Sequence, residues 1–363
     1  MDEGEKLHAH AFNSISLVGQ QKLRRVRKYF GSFEKAWHCH DIFEFVRAKI
    51  DGKTAKRIIN AQSKTSPEEL WEDLGQREVI CVANDENSYP QALSEIHSPP
   101  LILYLRGKLT KADNMAVAIV GTRKATDYGR QVTMQLASEL AANEITVVSG
   151  LALGIDAAAH EAALDAGGRT LAVLGGSVAK GEVFPRTNAR LGERMTKHGA
   201  LISEYVPGVP PRKENFPVRN RLISGLTLGT IVVEAAARSG ALITAFTALD
   251  QNREVMAVPG NINATYSEGP NMLIKKGAAL IRTVDDIFEV LGINEPKQIQ
   301  KSRKCLPETE NEKVIYKALS SEPTSLDRLV LLTKFDVNVI SSTLSIMEVK
   351  GIVRQIGIGY IVC

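Results

Sequence analysis

The sequence predicts an α/β protein: a doubly wound, Rossmann-like, mostly parallel sheet, with a small helical N-terminal domain before it and a C-terminal winged helix after it. Three observations carry that expectation. The runs MAVAIVG (115–121), ITVVSG (145–150), TLAVLGG (170–176), ALISE (200–204), GTIVVEA (229–235) and EVMAVPG (254–260) are each nearly all apolar, as strands buried on both faces of a parallel sheet are. Helical stretches opening near Asp127, Asp156, Asn188, Ser239 and Asn271 separate them, and alternating strand and helix is the doubly wound pattern. On either side of this block the pattern changes to short helices.

Residues 1–75 read as the helical domain. SLVGQQKLRRVRKYFGSFEKAW places Leu23, Val26 and Phe30 on one face of a helix and crowds Lys22, Arg24, Arg25, Arg27 and Lys28 on the others. A helix-hairpin-helix gripping phosphate through its Gly-containing turn has this form, and so does a solvated amphipathic helix. Residues 76–294 form the sheet domain, with VICVAN and LILYLRGKL as strands at its edge. The polar, basic, aperiodic stretch 295–311 reads as a linker. Within 312–363 three helices and a hairpin make a winged helix. Its six Lys/Arg against five Asp/Glu suit a protein contact or autonomous packing better than a phosphate-gripping reader helix.

Composition narrows the function. The chain has 363 residues, 44% hydrophobic and 24% charged, enough for more than one folded core. No run approaches the roughly 18 apolar residues of a membrane span. The start, MDEGEKLHAH, is neither a secretory signal nor an Arg-rich transit peptide. Cys39, Cys81, Cys305 and Cys363 are scattered as reduced thiols of a cytoplasmic protein would be. A net charge of +4 is too mild to identify a polyanion partner by itself.

Ligands of open parallel sheets bind outside the carboxyl ends of the strands, so the strand-end turns are where chemistry would sit. GTRKATDYG (121–129) offers Gly121 for close backbone approach, the Thr122 hydroxyl, and the charges of Arg123 and Lys124. SGLALGIDAAAH (149–160) offers Ser149 and Gly150, with Asp156 expected to cap the following helix and His160 to be a hydrogen-bonded structural histidine. GGSVAKGEVFPRTNARL (175–191) carries Lys180, Arg186 and Arg190. After the fourth run, YVPGVPPRKENFPVRNRL projects Lys213 and Phe216, with Arg219 and Arg221 bracketing Asn220. The alternative at this last turn is a Phe216 anchored in the core and arginines paired with Glu204 or Glu234. Neither G-x-G-x-x-G nor G-x-x-x-x-G-K-[ST] occurs, and Glu234 is the one acid placed to serve catalysis. His8/His10 and His38/His40 lack metal-ligand company. Cations tracking a backbone beside an aromatic for stacking describe single-stranded nucleic acid binding. Catalytic residues, cofactors and metals are not expected.

AIVGTR (118–123), SGLALGIDAAAH (149–160), FPVRNRLISGL (216–226), VVEAAARSGALITA (232–245) and VPGNI (258–262), with SYPQALSEIHSPPLILYLRGKL (88–109) upstream, together resemble the DprA/Smf family of DNA-processing proteins. The resemblance spans nearly the whole chain, including a sterile-alpha-motif-like N-terminal region and a winged-helix end. It implies a non-enzymatic protein of natural transformation that binds incoming single-stranded DNA, dimerises through its Rossmann-like domain, and loads RecA recombinase while displacing single-strand-binding protein. The family's DNA-contacting arginine matches Arg123, and its lysine and aromatic before the R-N-R motif match Lys213 and Phe216. The expected DNA path therefore comprises Gly121, Thr122, Arg123, Lys124, Ser149, Gly150, Lys180, Arg186, Lys213, Phe216, Arg219, Asn220 and Arg221, with Ser239 and Gly240 heading the next helix. In GPNMLIKKGAALIR (269–282), Met272, Leu273, Ile274, Ala278, Leu280 and Ile281 supply more apolar surface than one exposed helix face should, and the resemblance places dimer and RecA contacts there. GGSVAKGEVFP departs from the family's G-x-D-x-x-Y-P-like segment, being longer and lacking that acid, so Lys180 is placed on the path by its basic strand-end loop and not by the resemblance.

Two other classes share parts of this pattern. Nucleotide phosphoribohydrolases of the lysine-decarboxylase-like group share the sheet, but their P-G-G-x-G-T-x-x-E signature is missing here. A winged-helix transcription regulator with a sensory Rossmann domain would need a more basic C-terminal domain.

Overall fold

Six apolar runs become six adjacent strands because each buries both faces. The computed structural model describes residues 1–293, 307, 309–319, 323–349, 352–356 and 359–362. The chain divides into two compact units, Met1–Pro296 and Lys297–Cys363.

The first unit opens with six helices, α1 (Glu3–Ser14), α2 (Gln20–Phe30), α3 (Phe33–Trp37), α4 (Ile42–Arg47), α5 (Gly52–Gln62) and α6 (Pro67–Gln76). The edge follows as β1 (Ile80–Ala83), α7 (Gln91–Ser94) and β2 (Ile102–Gly107). The alternating block is β3 (Ala116–Val120), α8 (Asp127–Ala142), β4 (Thr146–Ser149), α9 (Ile155–Asp165), β5 (Thr170–Val173), α10 (Ala189–His198) and β6 (Gly199–Ser203). It continues through α11 (Asn215–Gly225), β7 (Gly229–Val232), α12 (Gly240–Asp250), β8 (Glu254–Ala257), α13 (Glu268–Lys275), β9 (Ala279–Leu280) and α14 (Val284–Leu291).

One nine-stranded sheet results, in the order β1-β2-β6-β5-β4-β3-β7-β8-β9. All pairings from β6 to β9 are parallel, and β2 joins β6 antiparallel, as β1 joins β2. Alternation along β3 sends Val117 and Ile119 to the core under α8 and α9, and Ala116, Ala118 and Val120 to the core under α11 and α12. Helix α13 starts three residues before Asn271, and β9, only two residues long, has no counterpart among the expected strands.

The basic face of α2 is largely spent inside the unit. Lys22 pairs with Asp51 at 2.6 Å, Arg27 with Asp85 at 3.3 Å, and Arg24 donates to Ser98 and to the Pro99 carbonyl. The helices share a core with β1, β2 and β6. His10 Nδ1 lies 2.9 Å from the Tyr104 hydroxyl, and Asn13 donates to that hydroxyl and to the Glu204 carbonyl. Burial lowers the His10 pKa to about 4, so this joint holds a neutral imidazole.

The second unit contains α15 (Glu310–Ala318), β10 (Thr324–Ser325), α16 (Leu326–Thr333), α17 (Val337–Val349), β11 (Val353–Ile356) and β12 (Gly359–Val362). Ile315, Leu329, Ile340, Leu344 and Met347 form its core. Among the described residues the hairpin β11–β12 gains β10 as a third strand and packs with three helices as a winged helix. Most of the 295–311 linker lies outside the described residues. Its last two, Glu310 and Asn311, open α15, where Thr309 and Glu312 form a capping box. Among the described residues no single helix is long and apolar enough to cross a membrane.

Candidate nucleic-acid interface

The order of parallel strands reverses between β3 and β7, and a crevice opens at that point beyond the strands' carboxyl ends. It holds a cavity of about 320 Å³ whose walls include Thr122, Arg123, Asp156, Arg219, Ser239 and Gly240. The first turn fits tightly. Thr122 donates its N–H to the Glu234 carbonyl at 2.7 Å, and its own carbonyl accepts from Ile155 at 3.2 Å. A Cβ on Gly121 would come within 2.5 Å of Ile155, so only glycine lets this strand end approach α9. Gly154 takes φ +79° with the same turn against it. Arg123 and Lys124 stand exposed above.

Glu234, the acid read as the one available for catalysis, is occupied. Its carboxylate accepts from the Thr126 N–H at 2.9 Å and hydroxyl at 2.5 Å, tying the head of α8 to the end of β7, and Gly129 packs directly on it. Asp156 is not the cap of α9, which starts at Ile155 after Gly154. Its carboxylate turns back to accept from Gly150 N–H at 3.1 Å and Ala152 N–H at 3.3 Å. Burial raises the Asp156 pKa against the pull of neighbouring Arg219 and those two donors. His160 is structural, its Nδ1 lying 2.6 Å from the Thr170 hydroxyl, and burial lowers its pKa to about 3.

Phe216 sits in the first turn of α11, half-buried over the end of β5, where a Cβ on Gly175 would lie 3.1 Å from its ring. The guanidinium carbons of Arg123 and Arg219 are 5.3 and 5.8 Å from the ring centroid, a cation–π arrangement with one exposed and one buried partner. Phe184 lies 6.5 Å away, ring to ring, and is itself half exposed; the sequence pattern does not single it out, although it follows the Gly-rich loop directly. Asn215 fixes the turn by donating to the Gly175 carbonyl at 2.8 Å. Lys213 is exposed two residues ahead of the helix, Lys180 and Arg186 are exposed on the loop after β5, and Arg190 is exposed in the first turn of α10.

Five residues placed on the DNA path lie largely beneath it. Arg219, only 5% exposed, donates to the carbonyls of Gly150, at 2.9 Å, and Val173, and its Nε to Asn220. Burial lowers its pKa to about 10. Asn220 donates to the Gly240 carbonyl at 3.3 Å. Ser149 is fully buried with its hydroxyl on the Ile119 carbonyl, and Gly150 is buried against the Arg219 guanidinium. Arg221 pairs with Glu204 and donates to the Ser98 carbonyl at 3.1 Å. For Arg219 and Asn220 the cause is helical period: from Phe216, steps of three and four bring them onto the face that packs on the sheet.

The expected self-association segment is also divided. Leu273 and Ile281 are core residues, 2% and 0% exposed, since α13 packs on the sheet and the Ile281 N–H bonds the Ala257 carbonyl. Met272, Ile274 and Ala278 are half-buried against that core, and Leu280 is exposed. The larger apolar surface belongs to α12, where Ile243, Phe246 and Leu249 are exposed. Lys276 Nζ, 5.4 Å from the Phe246 ring, places the end of α13 beside it. Among the described residues no group of three or more His, Cys, Asp or Glu is placed to hold a metal.

Residues 80–292, the whole sheet and its edge strands, match the family of DNA recombination-mediator protein A. The chain belongs to that family. Residues 301–357 match the DprA winged helix domain. Relatives of the DNA recombination-mediator protein A family include a Protein Smf of Synechocystis sp., 32% identical over 98% of this chain and 98% of its own. The DNA processing protein DprA of Bacillus subtilis is 45% identical over 56% of this chain and 68% of its own. Among solved structures, DprA of Streptococcus pneumoniae aligns with TM-score 0.66 at 31% identity, covering 78% of this chain and 96% of that one. DprA of Helicobacter pylori, solved for its single-stranded DNA binding mode, aligns with TM-score 0.53 at 32% identity, covering 59% of this chain and 95% of that one.

Proposed function

We propose that the carboxyl edge of the sheet binds single-stranded DNA without base preference and presents it to a RecA-type recombinase during DNA uptake. The observation that carries this reading is Phe216, half-buried on a glycine bed with the exposed Arg123 at its ring and Lys213 just before it. A stackable face flanked by exposed cations fits a strand whose bases are unpaired and whose phosphates run alongside. The family membership and the single-strand binding described for the Helicobacter pylori relative support the same reading. Gly121, Thr122, Lys124, Lys180, Arg186, Ser239 and Gly240 border the path, and Ser149, Gly150, Arg219, Asn220 and Arg221 hold its floor. The role is binding rather than catalysis, in the cytoplasm, with residues 1–75, 76–294 and 312–363 as the working domains and 295–311 joining the last two.

Arg123→Ala and Lys213→Ala are each expected to weaken binding and flatten its salt dependence, the logarithmic slope falling by about 0.7 for each single-strand phosphate left without its cation. Titrations of labelled oligo-dT across a salt series give the slope, and wild-type slopes in both variants would place these residues off the path.

The same reading makes the protein a homodimer through the outer face of α12, where Ile243, Phe246 and Leu249 are exposed, with the end of α13 beside Phe246 and Leu280 exposed a few residues further on. This assignment also leaves the recombinase and displaced single-strand-binding protein as the partners of the assembled complex. Phe246→Glu or Leu280→Glu is expected to give a folded monomer in sedimentation at micromolar concentration. A wild type that is itself monomeric there would reject the dimer.

A further inference from the structure

A second, larger cleft lies beside Phe216, away from the switch-point cavity. It measures about 660 Å³, within the range of ligand sites. One wall runs from the end of α1 through the turn into α2, Asn13 to Lys22, and the other is the loop after β6 from Glu204 together with the first turn of α11 as far as Val218. The walls are fixed to each other. Asn13 donates to the Glu204 carbonyl at 3.2 Å, and Gln20 accepts from the Leu101 N–H at 2.8 Å at the start of β2. The cleft is therefore a preformed feature of the unit rather than a gap between loose segments.

Its lining suits a nucleic acid strand. Leu17 and Val218 are 50% and 48% exposed, apolar surface of the kind that takes a base face or a ribose without reading sequence. Of the cations that line it, Lys22 pairs with Asp51 and Arg221 with Glu204, which leaves the charge of Arg212 for a ligand. Arg212 is exposed at the rim. The cleft also neighbours the proposed DNA site. Arg212, Asn215 and Val218, on both sides of Phe216 in the chain, line it. Arg123, on the other side of the Phe216 ring, lines the switch-point cavity. Cavity, ring and cleft thus follow one another along the carboxyl ends of β3, β4, β5 and β6, over a span of roughly 14 Å at the ordinary strand spacing.

We infer that single-stranded DNA leaving Phe216 continues into this cleft, with bases against Leu17 and Val218 and a phosphate at Arg212, so that the N-terminal helices form one bank of the DNA path. The inference rests on the DNA-binding reading above and extends it by a segment of strand.

Strand length separates the two. Oligo-dT of about 6 nucleotides, near the short end of the usual site sizes of about 4–16 nucleotides, and of about 20, beyond their long end, is titrated against the full-length wild type, Leu17→Asp, Arg212→Ala and Phe216→Ala. The cleft variants are expected to lose about tenfold in affinity for the long strand and to bind the short one as the wild type does. Phe216→Ala is expected to weaken both. In Leu17→Cys, alkylation of that cysteine, followed by mass spectrometry, is expected to slow under the long strand and not under the short one. Cleft variants that bind both lengths normally, while Phe216→Ala weakens both, would overturn the extension and leave the first site standing. A Phe216→Ala variant with wild-type affinity for both would remove the reading on which the extension rests. Arg212→Ala, a change at an exposed loop position, keeps the test open should Leu17→Asp fold poorly.

Discussion

Arg219→Leu is expected to cost about 3–5 kcal/mol of folding stability, as when one partner of a buried charge pair is removed. The guanidinium bridges two strand ends: it donates to the carbonyl of Gly150 after β4 and to that of Val173 in β5, while Asp156 beside it fastens the turn into α9. Without it two carbonyls are deprived of their donor and the Asp156 carboxylate is left buried beside an apolar side chain. Asp156→Asn in the same chain is expected to restore part of the stability, because the uncompensated charge goes as well. Urea melts of the two single variants and the double variant give the coupling directly. A melt of Arg219→Leu that matches the wild type would mean that this arginine is not the floor of the site but a surface cation, as its sequence neighbourhood suggests.

Phe216→Ala is expected to cost about 1–3 kcal/mol of oligo-dT binding, the usual worth of one base stacked on an aromatic ring. The salt slope should stay near that of the wild type, since the ring neutralises no phosphate. Arg123, the exposed neighbour of the ring, is free to move to a phosphate as a base takes its place, whereas Arg219 is held by backbone carbonyls and stays. Phe216→Trp is expected to keep most of the affinity because the π-face survives. Stability should fall by well under the 3–5 kcal/mol of a fully buried phenylalanine, because the ring is half-buried over Gly175. Large stability losses in both variants, with normal binding by the folded fraction, would make Phe216 a core anchor.

The sheet is legible in the sequence because parallel strands buried on both faces leave all-apolar runs, and each of the six runs forms a strand with its helix close to the expected place. Strand β9 is not, since two residues carry no period. Arg123, Lys213 and Phe216 are readable from the turn they occupy, and all three reach the surface of the carboxyl edge. Arg219, Asn220 and Arg221 are not, because a charge written in a sequence looks the same whether it meets water, a carbonyl or a carboxylate. The helix that carries them decides, and its inward face happens to hold the arginine. The outer face of α12 escapes notice for the opposite reason. GALITAFTALD is apolar all round, so nothing in it marks Ile243, Phe246 and Leu249 as the side left uncovered. The basic helix α2 is open to two readings, and the structure answers with a third, in which its charges clip the helical module to itself through Asp51 and to the edge of the sheet domain through Asp85, Ser98 and Pro99.

Side-by-side titration of wild type and Phe216→Ala with oligo-dT and with a matched duplex tests the central claim most directly. The expected result is tighter binding of the single strand by the wild type at every salt concentration, with that preference reduced in the variant. Equal or tighter binding of the duplex by the wild type, or a preference that the variant keeps in full, would contradict it.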